Sequence, residues 1–297
     1  MTFWLRPAFA LRVVNRFQKI LGFDRSMALA SSALTALVPL SILLGTLFEH
    51  YDAAERIIGR YGLTGAGAAA VTSLFSSTEG PSTSFGVFGV VFLMISALSF
   101  ARAAQRLFEQ AWELKPLSVR NTRNGLWWIL ALGCYTAVMG LLSALLGGYV
   151  LGLVAVVCEA PVTAAFLVWS GRLLSAKRIG WLDLLPFGVT GAVLTAAYSV
   201  GATFYMPRLF NSSAARYGVV GAVFAMISAL FAVMLALVAS AALGREVRDE
   251  LGLIRAGRRP SDREIRRQWD NVVEQTRSRW RRVREETSRH QAKGSHQ

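Results

Sequence analysis

Glu159 is the side chain in this sequence best placed to do chemistry. It stands two positions before Pro161, in an apolar run from about Leu153 to Leu174. A run that began only at Pro161 would be too short for a bilayer, which needs roughly twenty apolar residues. The run therefore starts earlier, and Glu159 falls at membrane depth, in its outer third. An ionisable group there is costly and normally faces a polar interior. A carboxylate in that place can take up a proton or hold a cation, and so couple its movement across the membrane. The plainer alternative is a wet carboxylate at the headgroup boundary.

Two hydroxyls and a proline extend this candidate pathway. Ser96 and Ser228 occupy equivalent places in a repeated stretch. Phe85–Leu98 reads FGVFGVVFLMISAL and Tyr217–Leu230 reads YGVVGAVFAMISAL, with ten of fourteen positions identical. The glycine pairs Gly86 with Gly89 and Gly218 with Gly221 permit close backbone approach. Parallel repeats in membrane proteins can enclose a ligand site at their interface. The expectation is that Ser96 and Ser228 face one central crevice. Pro39, among Ser31, Ser32, Thr35 and Ser41, removes a backbone donor and should kink its helix. Hydroxyls nearby can satisfy the freed carbonyls. A second group, Arg102, Arg106, Glu109 and Glu113, recurs at helical spacing before Pro116. It is the candidate cytoplasmic gate; the simpler reading is pairing on the helix surface.

The elements that must position these residues follow from hydropathy. The chain has 297 residues, 54% hydrophobic, with mean hydropathy +0.42. Several uncharged runs of membrane-spanning length imply an all-α, polytopic membrane protein with six transmembrane helices. The spans are expected at about 27–48, 83–101, 125–146, 153–174, 184–205 and 217–243. They form a membrane domain over 27–244. Residues His50–Ser84 should hold short helices outside the bilayer, Gly147–Gly152 a tight turn and Met206–Arg216 a short loop. Trp127, Trp128 and Trp181 read as interfacial anchors. Cys134 and Cys158 lie in apolar runs and read as packing residues.

Charge placement sets the expected orientation. Lys and Arg number five before the first span, then two, five, none, three and two in successive loops, and fifteen from Arg245 onward. Bases favour the cytoplasmic side. Both termini are therefore expected in the cytoplasm. Residues 1–26 hold an amphipathic helix over Pro7–Gly22, with Phe9, Val13, Phe17, Ile20 and Leu21 on one face. Arg12, Asn15, Arg16 and Lys19 lie opposite. Such a helix can lie in the interface with its bases toward lipid headgroups or pack as a surface helix. No removable signal peptide is read.

The tail, 245–297, is basic. Ser261 and Glu264 form a capping box. Ile265, Trp269, Val272, Thr276, Trp280, Val283 and Thr287 then step at helical period. Its arginines are interleaved with Asp270, Glu274, Glu285 and Glu286. The formal net charge of +14 is thereby assigned to anionic membrane lipids, with self-association of the helix as a further expectation, and not to nucleic acid. No metal-ligand cluster, nucleophile elbow or phosphate-binding loop appears, so neither enzyme activity nor a cofactor is expected.

The motifs ALASSALTALVPL, ALSFARAAQRLFEQAWELK, RIGWLDLLPFGVTGAVLTAAYSVGATFY and NSSAARYGVVGAVF leading to SAALGREV resemble the YihY/BrkB family of bacterial inner-membrane proteins. The resemblance covers roughly Phe17–Leu251. It implies six helices in the bacterial cytoplasmic membrane. The sequence departs from the family in having Ser175 in place of a frequent proline, no tryptophan in the last span, and Arg245 before Glu246 after Gly244. Members have been labelled virulence-associated or as ribonuclease BN; no residue here supports the nuclease label. The expected function is translocation or handling of a small solute or lipid without ATP hydrolysis. The alternative is a non-transporting scaffold that recruits partners through its basic tail.

Overall fold

The computed structural model describes residues 7–47, 53–76, 83–116, 122–146, 152–256 and Glu274. Among them every regular element is helical: α1 Pro7–Lys19, α2 Gly22–Leu47, α3 Ala53–Tyr61, α4 Gly65–Ser76, α5 Thr83–Ala111, α6 Thr122–Leu146, α7 Gly152–Leu174 and α8 Trp181–Arg255. The tail helix and the Pro39 side chain lie outside the described residues, as does the turn over 147–151. The chain forms two compact units. One is Met1–Asn15 with Asp249–Gln297; the other is Arg16–Arg248. Within the first, Arg12 pairs with Glu250 and lies over the Phe9 ring.

Among the described residues, three helices are long and apolar enough to cross a membrane: Val91–Ala111, Arg123–Leu142 and Trp181–Arg255. The last is not one rod. Gly218 has φ 58° and ψ −136°, a backbone state that breaks the helix and that only glycine adopts easily. The chain doubles back there. Asp183 meets Arg248, Thr190 Oγ1 reaches the Ser240 carbonyl, and Tyr198 Oη donates to the Ala229 carbonyl. The two arms of α8 thus run antiparallel. A Cβ on Gly221 would collide with the Ser213 carbonyl, and one on Gly244 with the Phe187 backbone. Glycine is required at both places because the arms are in backbone contact.

The expected loop over Met206–Arg216 is instead helix, continuous with the first arm. Its apolar side explains why. Met206, Phe210 and Ala214 are buried in one cluster with Ala54 and Leu63, Val71 of α4, and Ala222, Ala225 and Met226 of the second arm. Packing overrides the turn-like Asn-Ser-Ser, whose Ser212 hydroxyl folds back onto the Leu209 carbonyl.

A second cluster fills the opposite end of the larger unit. Phe108 and Trp112 at the end of α5 pack edge-on against Phe187 of α8, with Leu29, Val168, Leu184 and Val238 around them. Gly171 and Gly188 let α7 approach α5 and α8 closely, since a Cβ at either would overlap Leu184 and Phe108 or the Ala164 carbonyl. α2 packs along α5, and α5, α6 and α7 pack on one another. The outward sides stay apolar: Ile95 is 62% exposed, Leu130 61% and Phe204 71%. Such a surface fits hydrocarbon and not water.

One anchor expectation and one packing expectation are corrected. Trp127 is exposed as an anchor should be, but Trp128 is buried and packs against Phe100. Cys134 is exposed on α6 and not part of the protein's interior, and the Cys158 side chain lies outside the described residues. Trp181 is exposed and carries the Arg172 guanidinium 4.9 Å from its ring centre.

Candidate functional site: a polar face on α7

Residues spaced four, three and four apart share one helix face. On α7 that spacing joins Glu159, Thr163, Phe166 and Ser170. Glu159 is half-buried, one helical turn from Thr163, and Pro161 between them is accommodated inside the helix. Thr163 and Ser170 are both buried. α6 supplies the facing partner: the Tyr135 and Thr163 hydroxyls share a hydrogen bond of 2.9 Å, and the Tyr135 ring stacks on Phe166 at 4.1 Å. Because α6 and α7 are joined by a short connection and run side by side, this contact fixes their register. Trp128, two turns before Tyr135, then stands level with Ser170, two turns after Thr163.

Both of those residues bury a polar atom without a partner. Trp128 Nε1 and Ser170 Oγ make no hydrogen bond among the described residues. Buried polar atoms are almost always satisfied, so such a pair marks a place for water or a polar guest. One offers a donor and the other can donate or accept. The α7 face therefore runs from the Glu159 carboxylate, through Thr163 bonded to Tyr135 of α6, to the unsatisfied Ser170 hydroxyl.

The other expected site residues fall elsewhere. Ser96 is buried, whereas Ser228 is exposed and donates to the Phe224 carbonyl of its own helix. The repeat copies are thus turned differently. Ala97 and Ala229 are both buried, yet Met94 is exposed and Met226 buried. Gly86 lies inside α5 while Gly218 makes the turn. The two serines are therefore not presented alike, one buried and the other exposed. Of the hydroxyls in the fifth expected span, Thr190 donates chiefly to the Pro186 carbonyl of its own helix, and Tyr198 donates to the Ala229 carbonyl of the opposite arm.

The four gate candidates also separate. Arg102 and Arg106 are exposed on α5. Glu109 turns inward, accepts a bond from Gln105 Nε2 at 2.9 Å and lies 3.7 Å from Arg178. Arg178 also donates to the Lys115 and Ser175 carbonyls, pinning the segment after α7. Glu113 takes Lys19 at 2.6 Å. That hydrogen bond and the Lys19 charge hold the Glu113 carboxyl below its ordinary range, with lesser help from Arg16 and Arg245. Arg16 pairs with Glu246, which is buried. All three bases of α1 therefore have carboxylate partners within the protein.

Helical hairpins with an apolar exterior and a buried polar face define a membrane protein. The chain belongs to the Virulence factor BrkB family, whose model matches residues 13–264. No curated relative and no solved structure matches it.

Proposed function

We propose that the protein crosses the bacterial inner membrane six times, with both termini in the cytoplasm, and moves a small solute or lipid without ATP hydrolysis. The six passes are α2, α5, α6, α7 and the two arms of α8. The arginine-rich segments at alternate connections support this orientation. The pathway is the α7 face, with Glu159 as the ionisable group and Thr163, Tyr135, Trp128 and Ser170 as its polar lining. One observation carries this reading: Ser170 Oγ is buried and unsatisfied on the same face as Glu159. Such a group is expensive in a membrane interior unless a guest or water meets it.

The test is proton movement in liposomes containing the purified protein and an internal pH-sensitive dye. An imposed membrane potential should drive protons through the wild type and far fewer through Glu159→Gln. Equal traces from wild type, variant and protein-free liposomes would contradict the reading. A scaffold acting through residues 245–297 would give that flat result.

A further inference from the structure

The structure points to a second site, separate from the α7 face. We propose that Arg25, Arg102 and Arg106 bind the phosphate of an anionic lipid headgroup at the surface where α2 meets α5.

Pairing within the protein singles out these three bases. Four carboxylates of this unit are already taken by other partners, Glu109 by Gln105 and Arg178, Glu113 by Lys19, Glu246 by Arg16 and Asp183 by Arg248, and Asp24, next to Arg25 in sequence, is exposed and makes no salt bridge with it. Among the described residues, Arg25, Arg102 and Arg106 have no carboxylate in salt-bridge reach. Arg25 stands in the first turn of α2, the helix that packs along α5, and is half-buried. Burial first, and then the Arg106 charge, lower its pKa from the ordinary guanidinium value. Two guanidiniums that repel each other at a partly dry surface are relieved by an anion between them. Arginine's planar fork suits phosphate oxygens in particular.

The adjoining surface says which phosphate. Phe92, Ile95, Ser99, Arg102 and Arg106 recur at three- and four-residue steps and are all exposed on one face of α5. Ile95 is more than half exposed, and Phe92 one turn from it is 50% exposed. An apolar outer face thus ends in a basic cluster. That is the profile of a lipid: acyl chains against Phe92 and Ile95, phosphate against the guanidiniums. A free phosphate would use the bases and gain nothing from the apolar face.

The test uses the full chain in detergent, titrated with short-chain phosphatidylglycerol, phosphatidylcholine and inorganic phosphate, and read as affinity and thermal protection. Phosphatidylglycerol should bind most tightly. The double substitution Arg25→Gln/Arg106→Gln should weaken it by tenfold or more, as expected for losing two charge-assisted bonds. Arg123→Gln, at an exposed base on α6, should leave it unchanged. The variants' lipid-free melting temperatures report whether folding is intact. If the double variant melts early, Arg102→Gln alone should still weaken binding in a normally folded protein. Unchanged affinity in the folded variants would overturn the proposal. So would phosphatidylcholine binding equally well. Inorganic phosphate that binds as tightly as phosphatidylglycerol would reassign the cluster to a soluble anion.

Discussion

The Tyr135 hydroxyl lies 2.9 Å from Thr163 Oγ1, and this contact locks α6 to α7. It also sets which residues of the two helices stand level. Hydrogen bonds between membrane helices are modest, on average about 0.6 kcal/mol. Tyr135→Phe and Thr163→Val should each lower the melting temperature slightly. The double variant should lose no more than the larger single, because the two side chains share one bond. Fully additive losses in a thermal-melt cycle would argue against this bond.

The hairpin of α8 depends on two glycines for different reasons. Gly218→Ala forces a side chain into a glycine-only backbone state, at a cost of about 1–3 kcal/mol. Gly244→Ala pushes the arms apart at Phe187, at a similar cost of about 1–3 kcal/mol. Gly201, with open space around it, should accept alanine with no loss or a small gain. Denaturation midpoints of the three variants check the contrast.

Glu246 is the buried partner of Arg16. Removing one member of such a pair strands the other charge, at about 3–5 kcal/mol. Glu246→Gln should therefore destabilise strongly. Arg16→Met/Glu246→Met, which removes both charges, should recover much of the loss. Equal melting of the single and double variants would show that the pair is not coupled.

The Lys19–Glu113 pair predicts a pH response. Glu113's folded pKa is depressed, so its contribution is present above the ordinary carboxylate range. It fades as pH falls through the lowered value. Both side chains are largely exposed, so salt screens the pair and the effect is small. Amide protection near Lys19, measured relative to the intrinsic exchange rate at each pH, should fall for the wild type once pH drops below the ordinary carboxylate range. Glu113→Gln should show the lower protection already at neutral pH.

Much of this architecture was legible because hydrocarbon imposes a length and helices a period. The starts and ends of α2, α6 and α7 fall within a few residues of the apolar runs, and Pro7–Lys19 is helical as its two faces require. Register between helices was not legible. Nothing local in the sequence distinguishes the anchor Trp127 from the buried Trp128. Thr163 and Ser170 pass as ordinary small polar residues until Tyr135 is seen against one of them. The repeat misled for a related reason: near-identical residues in α5 and α8 meet different neighbours, so Ser96 is buried and Ser228 is not. At Met206–Arg216 the polar letters indicated a turn, but packing onto α4 keeps the helix intact. The partner of Glu246 lies 230 residues away, beyond any local pattern.

The most direct test of the α7 pathway is whether water reaches Ser170 within the membrane domain. Cysteine can be placed singly at 170 in a chain lacking Cys134 and Cys158, then exposed to a membrane-impermeant maleimide in sealed liposomes. The account predicts labelling of Ser170→Cys, slowed when Glu159 is also replaced by a bulky apolar residue, and none of lipid-facing Ile95→Cys. A folded Ser170→Cys protein that stays as unreactive as Ile95→Cys would contradict it.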